Sequence, residues 1–148
     1  MTDIAAIRAA AARAKGIRRT PMLGSAGLDR IAGRRVLVKA ETLQVTGSFK
    51  ARGAWAAVSA LPPEARGVVA YSSGNHAQGI AWAAAAHRLP SVILMPSDTP
   101  AVKVEATRAL GGEVVLYDRA TGDRDALGGR RWRGRGGWSW CRPSIIRR

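Results

Sequence analysis

Residues 68–79 read Val68-Val69-Ala70-Tyr71-Ser72-Ser73-Gly74-Asn75-His76-Ala77-Gln78-Gly79, and the architecture turns on this stretch. The apolar, β-branched opening predicts a strand. Ser-Ser-Gly-Asn interrupts it, and the alanine-rich run over 76–87 predicts a helix. A strand joined to a helix by a short polar loop is half of a βαβ unit. Downstream, Val92-Ile93-Leu94-Met95 predicts a buried strand closed by Pro96. Pro100 suits the first turn of a helix running to residue 110, where Gly111-Gly112 stops it. Val114-Val115-Leu116-Tyr117 predicts the next strand.

Upstream, residues 48–61 are helix-like, with Ser48 placed to cap them and Pro62-Pro63 to end them. Residues 36–38 predict a short strand, and Thr20-Pro21 is a breaker. The opening residues predict an alanine-rich amphipathic helix with Ile4 and Ile7 on one stripe. Strand–helix alternation with short connections predicts an α/β fold, a three-layer parallel sheet with helices on both faces.

Composition narrows the function classes. The chain has 148 residues, 47% of them hydrophobic and 23% charged, which excludes disorder throughout and fits one domain with a core. No window approaches the roughly 18 uninterrupted apolar residues of a membrane span. The lone Cys141 excludes an intramolecular disulfide and a cysteine-rich zinc site. No metal site can be named. Asp3, Arg8 and Arg13 interrupt any secretory leader, so the expected compartment is the cytoplasm. The formal net charge of +14 is unevenly spread. Half of it falls in residues 119–148, and from Ala126 onward arginine, glycine and tryptophan dominate with no acidic residue.

Two places can carry chemistry. Ligands of open parallel sheets bind at the carboxyl ends of strands, which singles out 72–76. Gly74 permits a tight turn there, and the free N–H groups of the following helix can hold a carboxylate or phosphate. Ser73, Asn75 and His76 add side-chain donors, although Ser and Asn also cap helices for purely structural reasons. Lys50 lies near a helix start, where an amine that loses its proton can act as a Schiff-base nucleophile. A lone lysine on such a helix is, by itself, an ordinary solvated residue.

Together the segments say more. Glu41-Thr42-Leu43-Gln44-Val45-Thr46-Gly47-Ser48-Phe49-Lys50-Ala51-Arg52-Gly53-Ala54 resembles the cofactor-lysine motif of the fold-type II pyridoxal-phosphate enzymes, closest to the serine/threonine dehydratases (threonine ammonia-lyases) and serine racemases. Residues 72–79 resemble that family's second motif, at the family's separation from the lysine. Met95-Pro96, Pro100, Lys103, Ala106-Thr107 and Gly111-Gly112-Glu113-Val114 resemble a third stretch. The resemblance runs from about residue 4 to residue 125.

It implies pyridoxal 5'-phosphate as cofactor and a small amino acid as substrate. Lys50 would bind the cofactor aldehyde and shuttle the α-proton, with Phe49 packed beside it. Asn75 would hydrogen-bond the phenolic oxygen of the pyridoxal ring. Ser72, Ser73, Asn75 and His76 would gather the substrate carboxylate, and in racemase-like members the serine matching Ser73 is an acid/base on the opposite face. The implied reaction is dehydration and deamination of L-serine or L-threonine to a 2-oxo acid and ammonia. The alternatives are racemisation, or an inactive fragment whose basic tail binds nucleic acid nonspecifically. Family members are usually homo-oligomers, and neither a membrane nor a specific nucleic acid is expected as partner.

Relatives are considerably longer, and their glycine-rich phosphate loop has no counterpart here. Residues 1–43 would belong with the large domain of that fold, 44–125 form its small domain, and 126–148 are expected to be a disordered basic tail. Arg, Gly, Trp, Pro and Cys have G/C-rich codons, so the tail also reads as out-of-frame translation beginning between about residues 125 and 128.

Overall fold

The computed structural model describes residues 3–120 and 136–140. The chain opens with helix α1 (Ile4–Ala12), strand β1 (Met22–Gly24), helix α2 (Ala26–Ala32) and strand β2 (Leu37–Lys39). A 3-10 turn at Glu41–Leu43 leads to α3 (Lys50–Val58), β3 (Gly67–Tyr71), α4 (Asn75–Ala86), β4 (Ser91–Pro96), α5 (Ala101–Ala109) and β5 (Gly112–Tyr117). A last strand, β6, spans Trp138–Trp140.

β3 to β6 form one parallel sheet in the order β5-β4-β3-β6. Strands with both faces covered read as continuous apolar runs, because neither face can carry polar side chains cheaply. Val92, Ile93, Leu94 and Met95 are all at or below 1% exposure. Alternate side chains divide between two clusters. Val68, Ala70, Ile93 and Met95 meet Ala54 and Val58 of α3, Ala77, Ile80, Ala83 and Ala84 of α4, and Val104 of α5. Val69, Val92 and Leu94 face the other way, among Tyr71, Val115, Tyr117 and Trp138. Each large side chain so buried contributes about 1.5–3 kcal/mol.

The expected parallel α/β sheet flanked by helices is therefore present, although among the described residues α3, α4 and α5 all pack on one face where helices were expected on both, and with two further departures. The strand expected at 36–38 is β2, which pairs antiparallel with β1 in a separate two-stranded sheet rather than joining the parallel one. No strand was expected beyond residue 126, yet Trp138–Trp140 pairs with β3, Gly67 opposite Trp138 and Val69 opposite Trp140. The rest of the expected tail lies outside the described residues.

Two small elements escape the apolar-run criterion. β1 is three residues long, and α2 has no buried residue. The ends of α2 are nevertheless specified locally. Ser25 Oγ accepts from the Leu28 amide at 3.4 Å, and Gly33 closes the helix at φ 64°, the left-handed conformation that glycine adopts without strain. No helix among the described residues is long and apolar enough to cross a membrane.

Candidate active site

Lys50 is the first residue of α3, one residue later than a Ser48 cap would place the helix start. Gly47, at φ +68°, turns the chain, and Phe49 occupies the cap position with helical backbone angles and no side-chain cap. Ser48 is therefore not the cap. Its hydroxyl is buried and has no hydrogen-bond partner among the described residues, and the same holds for Thr46 Oγ1. Two orphaned hydroxyls thus lie just upstream of the lysine. Lys50 is half-buried, and its Nζ lies 5.0 Å from the centroid of the exposed Phe49 ring.

The 72–76 loop leaves the carboxyl end of β3. The Ser72 amide continues the sheet by donating to the Leu94 carbonyl at 3.3 Å, and Ser72 Oγ accepts from the Gly74 amide at 3.2 Å. Gly74 then caps α4 with extended backbone and no side-chain hydrogen bond. The serines and asparagine therefore do not serve as the side-chain cap at that position. Ser72, Ser73 and His76 are half-buried and Asn75 is exposed.

Gly79 brings the two places together. A Cβ there would lie 3.2 Å from the Lys50 carbonyl oxygen and 3.2 Å from Ala54 Cβ. The α3–α4 contact is thus made backbone to backbone at the lysine. Gly79 is four residues into α4, about 6 Å along its axis from Asn75. The starts of α3 and α4 consequently lie side by side, with Lys50 at one and the Ser-Ser-Gly-Asn loop at the other.

A polar clamp fixes α3 from the other side. Arg52 donates from Nε to Glu41 Oε2 at 2.8 Å and from a terminal nitrogen to Glu41 Oε1 at 2.8 Å. Thr20 also donates to Glu41, and Arg52 reaches the Arg18 carbonyl at 3.2 Å. The Arg52 guanidinium holds the Glu41 carboxyl down at about 2, from its usual 4.5, with Thr20 and Lys39 acting in the same sense against the opposing effect of burial. Arg52 is held up reciprocally by Glu41. Gln44, 2% exposed, ties Arg18 to the same knot through both its amide atoms. Glu41, Gln44 and Arg52 all lie in the 41–54 motif, but sequence alone assigned them no role. Pairs eleven residues apart meet only because the turn at Gly47 folds the segment back.

A groove of about 590 Å³ lies between α1 and α3, lined by Ile7, Ala10, Arg18, Lys39, Arg52 and Trp55 among others. It includes neither Lys50 nor any residue of 72–76, so it is separate from the lysine site.

Comparison with known proteins fits this geometry. Residues 13–144 match the family described as pyridoxal-phosphate dependent enzyme, past the 125–128 boundary where the resemblance was expected to stop. The chain is 53% identical over 122 residues to L-threo-3-hydroxyaspartate ammonia-lyase from a Pseudomonas species, covering 80% of this chain and 38% of that protein. The fold superposes on maize serine racemase with a TM-score of 0.86 at 37% identity, covering 94% of this chain and 43% of that one. For the processed form of threonine deaminase isoform 2 from Solanum lycopersicum the TM-score is 0.79 at 33% identity, with 93% and 41% covered. The chain thus spans less than half the length of these relatives. With a half-buried lysine set against a Ser-Ser-Gly-Asn loop on a parallel sheet, and relatives that include ammonia-lyases and a racemase, the chain belongs to the pyridoxal-phosphate-dependent enzymes.

Proposed function

We propose that this chain is the lysine-bearing part of an ammonia-lyase acting on a 3-hydroxy-2-amino acid of the serine, threonine or 3-hydroxyaspartate kind. Loss of the α-proton and the 3-hydroxyl leaves an enamine, which water converts to a 2-oxo acid and ammonia. The observation that carries the proposal is the side-by-side arrangement of two helix starts without side-chain caps, one bearing Lys50 and the other preceded by Ser72-Ser73-Gly74. The orphaned hydroxyls of Thr46 and Ser48 fit a polar group held at the lysine.

Pyridoxal phosphate, when bound, supplies the electron sink that makes the α-proton acidic. Lys50 would hold it through Nζ and, once displaced by the substrate amine, carry the α-proton. Phe49 would wall the lysine from solvent on one side, and Asn75 would donate to the ring's phenolic oxygen. Ser72, Ser73, Asn75 and His76, with the amides at the start of α4, would fix the substrate carboxylate and so orient the bond to be broken. The likeness to serine racemase supports a second reading, in which Ser73 exchanges a proton on the opposite face. Chiral analysis of product separates the two: a D-amino acid marks racemisation and a 2-oxo acid marks elimination. Residues 1–43 would lie against a large domain, which suits the exposure of Ile4, Ile7, Met22, Leu23, Leu37 and Val38.

Titration of the purified chain with pyridoxal phosphate, followed by visible absorption beside Lys50→Ala, tests the site. A saturable band absent from the variant is expected. An equal band in both proteins, or none in either, sinks the assignment of Lys50.

A further inference from the structure

β6 is the described strand least suited to its place. It hydrogen-bonds in parallel to β3, whose residues 67–70 are all buried, yet it reads Trp138-Ser139-Trp140. Its neighbour β3, and β4 beyond it, are apolar runs. The Trp138 ring lies where a Cβ on Gly67 would come within 2.7 Å of it, so this bulk is accommodated only because residue 67 has no side chain.

The genetic code makes these residues unusually informative. Tryptophan has the single codon TGG and cysteine only TGC or TGT. Residues 137–141, Gly-Trp-Ser-Trp-Cys, are therefore encoded GGN TGG TCN TGG TGY when serine takes its TCN codons. Read one base earlier, the same bases give NTG GTC NTG GTG. That is Leu, Met or Val, then Val, then Leu, Met or Val, then Val. With Arg142 as CGN, the next codon is YCG, proline or serine. An AGY serine would change only the second position, to Glu. This is the pattern of β4, an apolar run closed by Pro96. Read one base later, the bases give GNT GGT CNT GGT, with glycine at every second position and no strand. Only one of the two alternative frames encodes what a covered parallel strand requires.

We propose that translation leaves the frame to which this fold belongs between residues 126 and 137, by the loss of one base or the gain of two. The frame beginning one base earlier would then encode β6 as an apolar, valine-rich strand. The change of composition at residue 126 is accounted for by the same event. The proposed frame change is independent of the substrate proposed above.

Sequencing the gene from codon 120 past codon 148 is the decisive experiment. The expected result is a frame, one base earlier, that gives valine at the second and fourth positions of the strand and stays open well beyond codon 148. A stop codon in that frame shortly after the strand, or AGY at Ser139 together with AGR at Arg142, overturns the proposal. The protein itself supplies a second reading. The variant W138L/S139V/W140L of the full chain should melt at a temperature higher by roughly 2–4 °C, the shift that a 1 kcal/mol gain gives a chain of this size. An unchanged or lower melting temperature would show that the apolar run does not belong at β6 and would count against the frame.

Discussion

The first forty residues and the parallel sheet are built on opposite terms. In β3 and β4 nearly every side chain is buried, whereas α1, β1, α2 and β2 contain no buried residue at all. The difference does not follow from hydrophobicity, because the arm carries Ile4, Ile7, Leu23, Leu28, Ile31, Leu37 and Val38, all at least 42% exposed. What separates the regions is how each is held. The sheet is held by apolar area removed from water. The arm is held at a few polar points, chiefly the Glu41–Arg52–Thr20 clamp and the Trp55 indole, whose Nε1 donates to the Arg13 carbonyl at 2.6 Å. Gly16 is part of that second attachment, since any side chain there would strike the Trp55 ring.

The sharpest way to break the contrast is a pair of identical truncations. Ile93→Ala, in the sheet, should cost about 2–5 kcal/mol, whereas Ile31→Ala, 86% exposed in the arm, should stay within about 0.5 kcal/mol. Chemical denaturation checks both, and comparable losses would mean that the arm is buried in solution. A smaller effect is expected at the junction. Gly79→Ala places a methyl 3.2 Å from the Lys50 carbonyl and should cost about 1–3 kcal/mol by overpacking. It should also weaken the Lys50-dependent absorption band more than the stability loss alone explains, which Ala83→Gly, on the same helix, controls for.

A modest effect should come from the clamp. Glu41→Gln is expected to cost on the order of 1 kcal/mol, because Arg52 is partly solvated and screened. Its pH dependence is more telling than its size. The Glu41 carboxyl titrates lower in the fold than in the unfolded chain, so its contribution is complete above the usual 4.5 and fades as pH falls toward 2. Acid titration of Trp55 fluorescence should therefore show a transition in that window that Glu41→Gln lacks. If the two curves coincide, the arm is held by something other than this carboxylate.

Much of this was legible in the sequence for a physical reason. Buried parallel strands must be apolar throughout, so β3 and β4 announce themselves as runs, the half-exposed β5 less so, and the loop after β3 lies at the end of the sheet where such folds bind ligands. The start of α3 was less legible, because Ser48 looks like a cap and only the backbone turn at Gly47 shows that it is not one. β1 and β2 were harder still. A three-residue strand leaves no periodicity, and which sheet β2 joins depends on a partner well upstream, Met22 opposite Lys39 at the far end. Lys50 and the 72–76 loop could be picked out one by one from the residues, but their adjacency came only from the family resemblance and not from their spacing. It depends on a glycine in the middle of a helix, which on propensity alone is only a cost.

The backbone contact at Gly79 has a meaning for descent. A lysine positioned by side-chain packing moves whenever its neighbours change size. Here the carbonyl of Lys50 rests on the main chain of α4, and around it α3 and α4 bury Ala51, Ala54, Ala77 and Ala81. The backbone of Lys50 is thus tethered to the part of the molecule that substitutions elsewhere leave in place. So long as positions 54 and 79 stay small, a lineage can rewrite its arm and its surface charge while the lysine keeps its seat.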